Sequence, residues 1–286
     1  MRRNYTKAIL LFAAVAAIGH IGRIGPMAEA AESTSLDLQS EKQTLYPLLN
    51  EANTTFQQAN AAAKEPEKAR ALYNKAILLY EKIIEQGNVR NAGLYYNLGN
   101  AYFLVDDIGQ AILNYRRALQ LDDSDVNVRN NLAFARSQRQ DKVDARAEKR
   151  VLETLFFWHY DFSLRTKFFL ACLLFAALCA TATAMVWLGR GPATTTLAVL
   201  AGVLCLCFVI SVVVETRRRD VVTYGVVTAR EIVARQGDGP NYAPRFKDPL
   251  HAGTEFRLLE QRPGWLHIEL LDGSDAWIPD TAAGIV

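Results

Sequence analysis

Three patterns predict a multidomain chain: an all-α helical repeat, then a two-helix transmembrane hairpin, then a small all-β barrel. Residues 36–146 are alanine-rich with helical periodicity and little glycine or proline. Two uncharged apolar runs follow at 168–188 and 197–214, and residues 220–286 switch to two-residue alternation broken by tight turns. Composition narrows the function classes. Of 286 residues, 50% are hydrophobic and 10% aromatic, which excludes a largely disordered chain. The 32 basic and 30 acidic residues leave a net charge of +2, so no chain-wide field favours a polyanion and nucleic acid is not an expected partner.

The N-terminus has the layout of a secretory signal peptide. Arg2, Arg3 and Lys7 form a basic head, Ala8 to Ile18 is uncharged, and Ala28-Glu29-Ala30 offers small residues at a cleavage site, giving a signal segment over 1–30. Eleven apolar residues make a helix of about 17 Å, too short for a hydrocarbon core of about 30 Å. An uncleaved anchor is the alternative, with Ile21 and Ile24 extending the run and Arg23 interrupting it.

Within 36–146 the best-defined unit is 92–125. Counting Ala92 as one, Tyr95 stands at four, Leu98-Gly99 at seven and eight, Tyr102 at eleven, Ala111 at twenty, Tyr115 at twenty-four and Ala118 at twenty-seven. These positions fill the tetratricopeptide pattern, in which small residues sit where two helices touch and aromatics fill the space beside them. Asp123 stands where the pattern has proline. A degenerate unit precedes it: Ala76-Ile77-Leu78-Leu79-Tyr80 echoes Ala111-Ile112-Leu113-Asn114-Tyr115, and Pro66 suits the first turn of a helix. Asn131-Leu132 repeats Asn97-Leu98 and starts a third unit, read here as one helix running on past Asn130 with a solvated face of Arg136, Arg139, Asp141, Lys142, Arg146 and their neighbours. Similarity to other tetratricopeptide arrays implies a concave face that holds a partner's peptide segment. On it would stand Tyr96, Asn97, Asn100 and Phe103, joined by Asn127, Asn130 and Asn131. For Asn97 and Asn131, hydrogen bonding between neighbouring helices weighs about equally with ligand contact. The lysine and arginine of a carboxylate clamp are missing from the matching positions.

Residues 147–167 form a linker expected at the membrane interface: Leu155-Phe156-Phe157-Trp158-His159-Tyr160 carries interfacial aromatics, and Arg165 and Lys167 would reach headgroups. The runs 168–188 and 197–214 are each long enough to span, and Gly189-Arg190-Gly191-Pro192 turns between them. Cys172, Cys179, Cys205 and Cys207 then lie at lipid depth and are expected to pack rather than react. Two cues on orientation disagree. Arg165, Lys167 and Arg217–Arg219 flank the hairpin while its loop has only Arg190, which places both flanks in the cytoplasm. The signal peptide places them outside, and it is preferred here because long domains translocate largely regardless of charge. Either way both soluble parts share one side.

In 220–286, Phe256 and Leu258 alternate, Arg262-Pro263-Gly264 turns, Leu266, Ile268 and Leu270 alternate again, Asp272-Gly273 turns, and Ala276-Trp277-Ile278-Pro279 closes. This run resembles the bacterial SH3 family, with Ala276 in place of its usual glycine. The resemblance implies an SH3-like barrel. Its Trp265 and Trp277 either line a ligand groove or pack the barrel. The four histidines are scattered, and no phosphate loop, metal-ligand cluster or serine elbow is visible, so no catalytic residue, metal or cofactor is expected.

The order of these parts, with Tyr95-Tyr96-Asn97-Leu98-Gly99-Asn100-Ala101-Tyr102 and the Trp-Ile-Pro end, resembles the BatE-type family of the bacterial aerotolerance operon. That resemblance implies a non-enzymatic inner-membrane adaptor. Its implied partners are membrane proteins with von Willebrand factor A domains and a MoxR-type ATPase complex, and its implied setting is oxidative stress. The alternative is a peptidoglycan-binding or wall-modifying accessory acting through the barrel. A redox sensor built on the membrane cysteines is the third reading.

Overall fold

The computed structural model describes residues 45–143 and 156–286. The signal segment 1–30 and the first part of the linker 147–167, up to residue 155, lie outside the described residues, as do Arg146 and its charged neighbours from 144 on. Chain contacts divide after Leu48, and the features below belong to the unit Leu49–Val286.

Five helices build the repeat region: α1 (45–61), α2 (Pro66–Gly87), α3 (Ala92–Leu104), α4 (Ile108–Leu121) and α5 (Val126–Ser137). Their starts are locally encoded. Pro66 occupies the first turn of α2. Asn91, Asp107 and Asp125 cap α3, α4 and α5 by accepting backbone N–H bonds from Leu94, Gln110, and Asn127 with Val128. Consecutive helices pack as antiparallel neighbours, α3 against α4 most extensively, with α2 and α5 to either side.

The small-residue positions of the best repeat are where its helices touch. Ala101, Ala111 and Ala118 are fully buried. A Cβ on Gly99 would lie 2.8 Å from the ring of Tyr115, itself 1% exposed. Gly99→Ala would gain about 1 kcal/mol of helix propensity. The buried ring cannot withdraw, so overpacking at about 1–3 kcal/mol outweighs that gain. The expected outcome is net destabilisation in chemical unfolding of the full chain; a stabilised variant would contradict this packing.

Two long helices follow a short one, α6 (Phe157–Tyr160): α7 (Leu164–Leu188) and α8 (Pro192–Val221). They pack against each other along their length, with the Cys205 Sγ 3.5 Å from the Ala171 carbonyl, and Phe162, just before α7, stacks on Phe208 at 6.4 Å. Both are long and apolar enough to cross a membrane. Only 6% and 11% of their most apolar stretches are buried, so they are not the core helices of the soluble parts. The helices outrun the apolar cores 168–188 and 197–214, because the flanking Thr, Arg and Glu residues are compatible with helix.

Lys167 is drawn in among protein groups. It is 1% exposed, donates to the His159 carbonyl and lies 3.8 Å from Glu215. An ammonium withdrawn from water needs such partners. His159 Nδ1 is 2.7 Å from Ser211 Oγ, tying α6 to α8. The repeat region is also tied to the hairpin, since Asp123 accepts the Leu164 N–H at 2.9 Å.

The C-terminal part is a small antiparallel sheet region. Strands β1 (Tyr224–Val227), β4 (Glu255–Arg262), β5 (Trp265–Leu270), β6 (Asp275–Pro279) and β7 (Ala283–Ile285) form one sheet in the order β6-β5-β4-β1-β7. Strands β2 (Glu231–Ile232) and β3 (Leu250–His251) pair separately. Leu266, Ile268 and Leu270 face inward from β5, as their alternation predicts, and pack with Val227, Phe256, Ala276 and Ile278. Gly264 turns β4 into β5 with φ of +78°, a region open to glycine.

The sheet docks on the repeat. Val226 shares a core with Ile112, Tyr115 and Leu132. Around that apolar contact lies an ionic latch. Glu255, its side chain 4% exposed, binds Arg136 through two 2.7 Å bonds, Arg116 at 2.7 Å and Arg139 at 3.3 Å. Asp141 accepts from the His251 N–H at 2.7 Å and the Thr254 hydroxyl at 2.6 Å. Arg117 donates to the Ile285 carbonyl. The helix does run on past Asn130, and what is corrected is the solvated charged face expected at Arg136, Arg139 and Asp141. Helix α5 ends at Ser137, and the chain turns so that Arg136, Arg139 and Asp141 meet the sheet.

Candidate protein-binding groove

Helices α1, α3, α4 and α5 line a cavity of about 260 Å³ formed by Phe56, Asn100, Phe103, Leu104, Tyr115, Asn131 and Phe134. Its floor is a polar chain. The Tyr115 hydroxyl donates to Asn100 Oδ1 at 2.8 Å, and Asn131 Nδ2 donates to the same oxygen at 2.9 Å and to the Tyr96 hydroxyl at 3.2 Å. Burial, reinforced by nearby Tyr96, holds the Tyr115 hydroxyl above its ordinary pKa, so it remains a donor at neutral pH. The walls are apolar. Phe103 and Phe134 pack at 5.5 Å, and Phe134 and Leu104 stay 56% and 45% exposed.

The structure thus brings together Tyr96, Asn100, Phe103 and Asn131 of the residues singled out by sequence. Asn97 is placed one step away, near the Tyr80 hydroxyl, which donates to Asn53 at 2.8 Å. Burial pushes that hydroxyl up to about 12. Asn127 and Asn130 are exposed and do not line the cavity. Sequence reasoning missed Phe56, Leu104 and Phe134. Phe134 had a signal: it lies three residues after Asn131, hence on the same helix face. Phe56 had none, because α1 lacks the repeat's motif.

The sheet tryptophans lie elsewhere. Trp277 is 8% exposed, with His267 stacked on it at 4.6 Å and the Arg262 guanidinium 4.7 Å from its ring centroid. Trp265 is half-buried on β5.

Comparison with known proteins adds one match. The tetratricopeptide repeat family matches residues 92–125, the α3–α4 unit with the loop after it. No curated protein matches the chain.

Proposed function

We propose that this chain is a membrane-anchored, non-enzymatic adaptor whose repeat groove holds an extended segment of a partner protein. The tetratricopeptide match suggests protein partners in general. The observation that carries the reading is the groove itself, with solvent-exposed Phe134 and Leu104 above the polar floor of Asn100 and Asn131. Exposed aromatics beside satisfied amides suit a peptide that offers one apolar side chain. Helices α7 and α8 support two-pass anchoring in the bacterial inner membrane. The resemblance to the BatE-type family supports partners with von Willebrand factor A domains, a MoxR-type ATPase complex and a role under oxidative stress. The strand run ending in Trp277-Ile278-Pro279 supports an SH3-like module. Because Trp277 is 8% exposed, with His267 stacked on it and the Arg262 guanidinium beside it, a wall-sugar platform on that ring is disfavoured.

In a pull-down from native membranes, Phe103→Ala combined with Phe134→Asp is expected to lose specific partners by tenfold or more while the fold persists. Unchanged recovery would sink the groove reading. This reading puts the repeat and the sheet on one side of the membrane, the periplasm, on the strength of the signal-peptide pattern at 1–30. A compartment-sensitive reporter fused after Gln140 or after Val286 is expected to be active there in both cases, and cytoplasmic activity of both would reverse the orientation.

A further inference from the structure

A second and larger cleft, of about 1120 Å³, opens between α4, α5, the end of α8 and the sheet. Arginines outnumber glutamates in its lining six to three. Besides the three arginines of the latch, Arg129, Arg218 and Arg257 line it, against Glu215, Glu255 and Glu269. The acids are already shared: Glu255 serves three guanidinium groups, Glu215 also lies 3.8 Å from Lys167, and Glu269 pairs with Arg257. Arg129 donates to the Asp123 carbonyl, and Arg218 donates to the Tyr224 hydroxyl beside further partners, so the excess lies in the ratio of charges rather than in unpaired groups. An excess of positive charge in a partly desolvated cleft attracts an anion, and guanidinium forks match phosphate oxygens.

The cleft's place selects the anion. Glu215, Arg218 and Val222 belong to the last turns of α8, directly after the apolar run that ends at Val214. With the hairpin spanning a bilayer, this is the depth of the lipid phosphates. Apolar side chains of Leu119, Leu132, Val222 and Leu271 line the cleft beside the arginines. Its volume far exceeds a bare phosphate, and its walls are amphipathic. We infer that this cleft binds the headgroup of an anionic glycerophospholipid, so that lipid seals the junction of repeat, sheet and hairpin. The inference rests on the anchoring proposed above.

The test uses the full chain reconstituted in bilayers of phosphatidylglycerol and phosphatidylcholine, with retained lipid counted by native mass spectrometry. Wild type is expected to keep phosphatidylglycerol at least tenfold over phosphatidylcholine. Arg129→Gln with Arg218→Gln is expected to weaken that retention by roughly 25-fold, from two arginines each contributing about fivefold. Arg190→Gln, at the other end of the hairpin, should leave it unchanged. Equal retention of the two lipids, or full retention by the double variant, would overturn the inference. So would complete displacement by inorganic phosphate, which would assign the cleft to a free anion. Alkaline extraction separates the two claims. Release of the wild-type chain from the bilayer contradicts anchoring, whereas a chain that stays embedded without headgroup preference contradicts only the lipid site.

Discussion

Replacing Glu255 with alanine is expected to loosen the sheet from the repeat by about 3 kcal/mol, the low end for breaking a buried ion pair. The low end applies because Arg136 is still 41% exposed and can be rehydrated, whereas Arg116 and Arg139 cannot readily be. Without the carboxylate, three guanidinium groups would face one another in a largely desolvated site. The readout is amide hydrogen exchange of β1 and α4 in the full chain. A loss of that size speeds local opening by about two orders of magnitude. The pH dependence has a definite sign. Burial alone would raise the Glu255 carboxyl, but the hydrogen bonds and charge of Arg136, with the charges of Arg116 and Arg139, hold it below its ordinary value. Asp141 behaves likewise: burial opposes ionisation, and the bonds from Thr254 and His251 outweigh it. Both groups therefore stabilise docking fully above the unfolded carboxylate range, about pH 4, and that stability is lost as pH falls through the lowered folded values. Docking should hold at pH 5 and give way only in stronger acid, with Glu255→Gln flattening the profile. Unaltered exchange in Glu255→Ala would remove the latch from the account.

Gly284→Val attacks the same junction from its apolar side and is expected to cost about 1–3 kcal/mol. Gly284 pairs with Val226 at the sheet edge, and a Cβ there would collide with Leu113, whose side chain is 3% exposed. Leu113 sits on α4 with Ile112 and Tyr115 around it, so it has little room to withdraw. Leu113→Ala alone should cost about 2–4 kcal/mol through the cavity it leaves. Together the two changes should cost clearly less than their sum, because the valine fills that cavity. Additive losses in chemical unfolding would mean that β7 does not press on α4.

Much of the fold was legible because its signals are local. Gly99, Ala111 and Tyr115 encode one helix pair by spacing alone, and the alternation of Leu266, Ile268 and Leu270 encodes one strand. Strands β2, β3 and β7 were not legible, since two or three residues carry no period. The latch was hidden for a different reason. Glu255 meets Arg116 and Arg136 across 139 and 119 residues of chain, and each reads locally as an ordinary surface charge. The groove was half legible: Asn100 and Asn131 follow from the repeat register, while Phe56 comes from a helix whose motif has decayed.

The central claim is that the groove lined by Phe103 and Phe134 holds a partner segment. A photo-crosslinking phenylalanine analogue at position 134, in native membranes, tests it most directly. Leu78, 66% exposed and outside the cavity, is the control position. The expected result is a discrete adduct from position 134, absent at 78 and abolished by Phe103→Ala. No adduct at 134, or the same adducts at both positions, would contradict the claim.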